Sequence, residues 1–321
     1  MPPHAGHLYL VEIARAQVER MTLILFSKAA EPIPGDLRLA WLRELFPDVE
    51  LLHLTDEGPV DFASPAAWDF WIAAIRRAYP AERGPELVFS SEPYGPELAR
   101  RLGAGHVVVD PDRRRVPISA AQIRARPLAH WRFIPAPVRP YFVRRVVLLG
   151  AESTWKTTLA QALARHFDTI WAPEYAREYL EGRTDPLVQA DMLPIARGQI
   201  ALEDRLARTA DRVLICDTNL MATLVWWERY WGGWPAEIAR LHAGRRYDLA
   251  LLSATAGTPW VDDGLRDSPH LRDWFQARFA EELAREDTPT VLLDGSFEAR
   301  LAAAVAAVAR VVDDDRPSPD P

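Results

Sequence analysis

One cysteine in 321 residues leaves no partner for an intrachain disulfide. The fold therefore cannot rest on covalent cross-links, and a reducing cytoplasm is the expected setting. That residue, Cys216, lies in the apolar run RVLIC, where a thiol reads as a small buried hydrophobe. Long apolar runs are missing too. None approaches the roughly 20 residues that a membrane span requires, and no charged-then-apolar export signal opens the chain. A basic excess is likewise absent: the net charge of −7 argues against a general nucleic-acid binder but is compatible with a local basic site for a small anion. The arginine runs 113–115 and 144–145 are too short to alter this. Glycine is missing at one informative place. In GAESTWKTTL, residues 150–159, the phosphate-loop pattern G-x-x-x-x-G-K-[ST] is met by Gly150, Lys156 and Thr157, yet Trp155 stands where the pattern has glycine.

What is present points to two α/β domains. The length exceeds the usual size of a single core, and 49% apolar residues suffice to fill two. Short apolar runs of strand length, TLILF (22–26), VELLHL (49–54), ELVFSS (86–91) and HVVVD (106–110), alternate with helical patterns such as LRLAWLRELF and AWDFWIAAIRRAY. A second train follows: VVLLG (146–150), RVLICD (212–217), DLALLS (248–253) and TVLLDG (290–295). This alternation predicts two doubly wound parallel sheets covered on both faces. The stretch FIPAPVRPYFVRR (133–145), with three prolines, predicts an extended connector. Domains are expected over 1–143 and 144–310, with the acidic, Pro-rich segment 311–321 as a disordered tail. No internal repeat is evident.

In the second domain Gly150 ends a strand, and Leu159, Ala160, Leu163, Ala164 and Phe167 follow at helical spacing. Backbone N–H groups of such a loop and helix start face a triphosphate, Lys156 meets its β and γ oxygens, and Thr157, with Thr158 beside it, supplies hydroxyls, that of Thr157 to Mg²⁺. The glycine normally at position 155 permits a positive φ that a residue with a Cβ adopts at about 1–2 kcal/mol; strain and an adjacent indole are both expected to weaken ATP binding, the alternative being a ring turned to solvent over a loop that keeps its shape. Asp217, ending RVLICD, is placed to hold Mg²⁺ or else to cap a turn. Glu174, in WAPEYARE, can take the proton of an attacking hydroxyl or pair with Arg177. Arg266, in PWVDDGLRD (259–267), can neutralise phosphate charge from a lid or lie in a solvated loop. Of the aromatic cluster Trp226, Trp227, Tyr230, Trp231 and Trp234, most are packing; Trp227 and Tyr230 are the candidates to stack on a cationic ring.

The first domain opens MPPHAGHLYLVEIARAQ. His4, Gly6 and His7 head a helix whose apolar positions Leu10, Ile13, Ala14 and Val18 share a face, and two imidazoles at a helix N-terminus suit a polyphosphate. Far along the chain, ISAAQIR brings Ser119 as a cap and Arg124 to a second helix start.

H-x-G-H with a later I-S-x-T-x-I-R-like element resembles the nucleotidyltransferase α/β phosphodiesterase superfamily, whose domain is Rossmann-like. With FSSEPYG (89–95), the connector, the phosphate loop, EYARE, CDTN and WVDDGLR, the chain over residues 1 to about 310 resembles the NadR-type bifunctional proteins, nicotinamide-mononucleotide adenylyltransferases fused to a ribosylnicotinamide kinase. The resemblance implies two successive reactions in NAD synthesis and salvage. The C-terminal domain would phosphorylate ribosylnicotinamide with ATP and Mg²⁺, and the N-terminal domain would join nicotinamide mononucleotide to AMP. His4 and His7 would contact the triphosphate, with Ser119 and Arg124 at its outer end. Small molecules are the implied partners; a homo-oligomer is compatible. Regulatory members carry a helix-turn-helix ahead of H-x-G-H, which these residues do not include, so DNA repression is not expected. The family also has a strand before H-x-G-H, so the first sheet is expected to lack that member, and Ala121 replaces a threonine hydroxyl worth about 0.5–1.5 kcal/mol to a phosphate. An alternative reading is a non-catalytic nucleotide or NAD sensor, which binds in both sites without turnover.

Overall fold

The computed structural model describes residues 1–59, 63–79, 84–261 and 269–314. The chain divides into two compact units, one ending at Val138 and the other beginning at Arg139.

The first unit runs α1 (Ala5–Arg15), β1 (Thr22–Phe26), α2 (Gly35–Leu45), β2 (Glu50–Leu54), α3 (Pro65–Ala78), β3 (Leu87–Ser90), α4 (Gly95–Leu102), β4 (Gly105–Val108) and α5 (Ala120–Ala125). Its strands form two parallel pairs, β1 with β2 and β3 with β4. They are mostly half-buried rather than enclosed. Val11 of α1 packs with Leu42 and Phe46 against Leu23, Leu25 and Leu51, which holds α1 and α2 to the first pair. α1 ends at Arg15, so Val18 is not on its face as the periodicity suggested.

The two strand pairs share a device that the sequence hides. Ser27 meets His53 at 2.7 Å, and Ser90 meets His106 at 2.9 Å. In each case the histidine lies opposite the residue two before the serine, Leu25 or Val88. Gly35 and Gly95 open the two crossover helices directly against these pairs: an added Cβ would come within 2.2 Å of Ser27 Oγ and 1.9 Å of Ser90 Oγ. Unequal spacing from serine to glycine conceals this repeat, which only the register reveals.

The second unit continues with α6 (Arg139–Phe142), β5 (Arg144–Leu149), α7 (Lys156–His166), β6 (Trp171–Ala172), α8 (Tyr175–Leu180), α9 (Gln189–Ala207), β7 (Val213–Asp217), α10 (Leu220–Trp231), α11 (Ala236–Ala243), β8 (Leu249–Ser253), α12 (Arg272–Leu283), β9 (Thr290–Leu293) and α13 (Phe297–Asp313). All five strands are parallel, in the order β6-β7-β5-β8-β9. β7 and β8 are wholly buried and β5 nearly so, as a sheet covered on both faces demands. One apolar cluster joins β5, β7 and β8 to Leu159 and Leu163 of α7 and Ala304 and Val308 of α13. Another joins Met192 and Ile195 of α9 to Leu220 and Leu224 of α10 and Ile238 of α11. Cys216 is fully buried within β7.

Two expectations change here. The proline-rich connector is not extended: it holds a 3-10 turn at Trp131–Phe133 and then α6, with Pro140 in a first helical turn, where a missing N–H is harmless. α13 continues through Val311 and Val312 to Asp313, because both valines pack on the α7–α13 cluster; residues 315–321 lie outside the described ones.

Candidate active sites

In the second unit the loop after β5 forms under tight local constraints. Gly150 has φ 135°, and a Cβ there would meet Ser253 O at 2.4 Å. Ser253 Oγ donates to Thr154 O at 2.6 Å, and Thr154 Oγ1 donates to Ala151 O at 2.8 Å, so the loop is fixed from beneath by β8. Trp155 is the N-cap of α7 with φ 66°, the left-handed conformation expected of the missing glycine. Its indole turns toward α13: the Phe297 ring meets it edge-on at 5.9 Å and 87°, and the Arg300 guanidinium lies over it at 5.2 Å.

Lys156 Nζ donates to Ala151 O at 2.8 Å. Burial lowers its pKa, while Glu174 and Asp217 oppose that shift. Thr157 Oγ1 donates to Asp217 Oδ2 at 2.5 Å. The other carboxylate oxygen, Asp217 Oδ1, is buried without a hydrogen-bond partner among the described residues. Burial, with the negative charge of Glu174, pushes the Asp217 carboxyl up to about 6. A buried carboxylate oxygen left over beside a hydroxyl and a phosphate loop is the donor set a hard divalent cation takes, since Mg²⁺ binds one or two carboxylates and completes its shell with water and phosphate.

A cavity of about 240 Å³ opens from the loop and is lined further by Thr158, Glu174, Arg177, Ala222, Trp226, Phe275 and Phe279. Glu174 is the N-cap of α8, and Arg177 Nε donates to it at 3.1 Å, so the pairing foreseen as an alternative forms within the cavity wall. Trp226, not Trp227 or Tyr230, lines the cavity, against Phe275 at 4.3 Å. Tyr230 stacks behind Trp226 at 5.7 Å, and Trp227 packs with Trp231 on the α9–α10 cluster. Trp226 and Tyr230 share one face of α10, and Trp227 and Trp231 share another about 100° round the helix, so a run of aromatics in sequence does not say which ring looks inward. Phe275 and Phe279 were missed because their spacing also reads as core. Arg266 lies outside the described residues.

In the first unit His4 caps α1. His4 Nδ1 accepts from Gly6 N at 3.0 Å, and His7 Nδ1 accepts from His4 N at 3.2 Å. The rings stand 3.9 Å apart. A Cβ on Gly6 would lie 2.9 Å from the His4 ring, so any larger residue there must push that ring from its place. Burial first, then neighbouring positive charge including Arg113, lowers His4 to about 3 and His7 to about 4. Both imidazoles are therefore neutral at pH 7. With each Nδ1 accepting a backbone N–H, each proton is assigned to Nε2, giving two donors for an anion. Ser119 caps α5, accepting from Gln122 N at 3.2 Å. Arg124 Nη1 is buried without a partner among the described residues. Ala121 is exposed at the start of α5.

Two further arginines join them. Arg113 has φ 52° and donates to Glu92 at 2.8 Å. Arg38 is only 2% exposed, donates to Phe26 O at 3.1 Å and to Glu31, and leaves Nε buried without a partner among the described residues. Neither stood out in sequence, since Arg38 sits in an amphipathic pattern and Arg113 in a short arginine run.

A family model described as an AAA domain matches residues 145–300. The trifunctional NAD biosynthesis/regulator protein NadR of Escherichia coli (strain K12) is 35% identical over 288 residues, a match covering 83% of this chain and 69% of the relative. The protein of that name from Salmonella typhimurium matches at the same identity and coverage. Among solved structures, a NadR protein in complex with NR is 25% identical, with a TM-score of 0.79 and coverage of 97% of this chain and 93% of its own. A NadR protein in complex with NAD and AMP-PNP gives a TM-score of 0.76 at the same identity and coverage.

Proposed function

The chain belongs to the NadR family, and from that premise we propose that it is a cytoplasmic enzyme of NAD synthesis with two activities, phosphorylation of ribosylnicotinamide by ATP and adenylyl transfer from ATP to the resulting mononucleotide. The carrying observation is the constellation at the end of β7. A phosphate loop, a buried carboxylate with one unpartnered oxygen and an aromatic-walled cavity meet there.

For the kinase step, Thr157 and Asp217 would hold Mg²⁺, which would offset the negative charge of the phosphate oxygens. Lys156 stays beside the loop as the fixed cation for the transferring phosphoryl group. Glu174, at the head of α8 in the cavity wall, takes the proton of the attacking sugar hydroxyl, a poor nucleophile until that proton leaves. Trp226 offers a flat π-face to a pyridinium cation, and Phe275 and Phe279 exclude water from the same cavity.

For adenylyl transfer, the attacking phosphate is already an anion, so no general base is needed and catalysis reduces to positioning and charge stabilisation. His4 and His7 donate through Nε2 to the triphosphate, and Arg124 offers its unpartnered Nη1 to the outer phosphates. Because these histidines are neutral, they bind as hydrogen-bond donors first and gain positive charge only as phosphate approaches.

The test is direct. The full chain with Mg²⁺, ATP and ribosylnicotinamide should form ADP and then pyrophosphate and NAD in sequence. Absence of ADP that depends on ribosylnicotinamide, together with absence of pyrophosphate when nicotinamide mononucleotide is supplied, would refute both activities.

A further inference from the structure

Trp155 occupies a place in the phosphate loop where a side chain must serve or obstruct, and its surroundings separate the two. The ring is fixed on two sides. Phe297 meets its edge, and Arg300 lies over one face. Arg300 is itself fully buried and donates to Gly295 O at 3.0 Å, Ser253 Oγ at 3.1 Å, Ala254 O at 2.7 Å and Ala256 O at 2.6 Å. A guanidinium so held cannot follow the indole if it swings, so the ring has one preferred seat. Trp155 nonetheless stays half-buried and lines the cavity.

Direction supplies the rest. Phosphoryl transfer sets the attacking and leaving oxygens roughly in line on opposite sides of phosphorus. The acceptor side is the wall built by Glu174, Trp226, Phe275 and Phe279. The ADP moiety must then leave the loop on the other flank. On that flank the α7–α13 cluster carries Trp155 and Phe297, whereas Trp226 belongs to the separate α9–α10 cluster.

Resting on the kinase reading above, we propose that the indole of Trp155 is the surface on which the base of the nucleoside triphosphate stacks, with Arg300 bracing the ring from behind. Base stacking on an aromatic side chain tolerates any flat ring, so the site selects for a base-bearing triphosphate over bare triphosphate. The obstruction expected from the sequence becomes a contact, and the strained φ of residue 155 is the condition under which the ring reaches α13.

The experiment measures phosphorylation of ribosylnicotinamide by the full chain, which reads this loop alone, against ATP and with inorganic tripolyphosphate as competitor. Trp155→Leu keeps a Cβ at the positive φ and removes the aromatic face together with its contacts to Phe297 and Arg300; Trp155→Phe keeps an aromatic face. Trp155→Leu should raise KM for ATP about tenfold, more than it lowers kcat. Inhibition by tripolyphosphate should hold at the parent value, and Trp155→Phe should recover most of the loss. An unchanged KM in Trp155→Leu, or tripolyphosphate inhibition weakening in step with ATP, overturns the stacking role. A parent protein that never phosphorylates ribosylnicotinamide overturns the kinase reading as well, a result distinct from turnover with an unmoved KM.

Discussion

At the scale of single residues, Asp217 shows how a functional group opposes the stability of its own fold. Its carboxyl is raised from 3.8 to about 6 by burial and by Glu174. A carboxyl raised on folding favours the native state below the unfolded value, and that contribution is lost as the pH rises through about 6. At pH 8 the charged, half-satisfied carboxylate is therefore a burden on the unligated protein. Asp217→Asn should stabilise it there by about 1–3 kcal/mol, read by urea unfolding, while phosphorylation falls by about 10²–10³-fold. Mg²⁺ needs the carboxylate ionised, so its binding with ATP should release more protons below the raised Asp217 pKa than at pH 8, by an increment beyond ATP's own that Asp217→Asn abolishes. Calorimetry in buffers of different ionisation heat counts those protons. An increment that survives Asp217→Asn would place the cation elsewhere.

At the scale of elements, the start of α1 and the end of α9 make opposite demands. Gly6 leaves room for the His4 ring, so Gly6→Ala should displace that imidazole and remove adenylyl transfer while the kinase reaction persists. An unchanged rate of pyrophosphate formation would show that the histidine pair does not grip the nucleotide. On α9, Glu203 is fully buried and accepts from Gln199 at 3.0 Å, Arg245 at 3.1 Å and Tyr247 at 2.9 Å. Glu203→Ala leaves Arg245 paired with Asp204 at 2.7 Å but strands the buried Tyr247 hydroxyl, and should destabilise the second unit by about 1–3 kcal/mol in a denaturant titration. Elements were legible where local physics decides them. The runs TLILF and RVLICD became β1 and β7 because apolar β-branched stretches need a covered sheet, and His4 and Ser119 became caps because their side chains reach backbone donors. Tertiary packing decided the rest. The ring of α10 that faces the cavity is not legible in sequence because the phase of that helix is set by α9 and α12, and α13 outran its expected end because α7 offers the last valines a place to bury. The Ser–His pairs beneath Gly35 and Gly95 join residues whose meeting depends on strand register.

At the scale of the molecule, each unit carries its own helix start furnished with the side chains proposed to hold nucleotide, so on that reading the two chemistries should separate by mutation. Lys156→Met should lower phosphorylation by at least about 10²-fold and leave NAD formation from supplied nicotinamide mononucleotide intact; His7→Ala should do the reverse. Loss of both activities in either variant would show the two sites to be one functional unit. The lone thiol adds an instrument. Cys216 is fully enclosed in the central sheet of the second unit, where burial holds its pKa well above the usual thiol value. A soluble alkylating reagent can reach it only when that sheet opens, so the rate of alkylation is a clock for that half of the chain alone, silent about the other. Saturating nucleotide should slow the clock, and it would do so without any tag, dye or engineered residue.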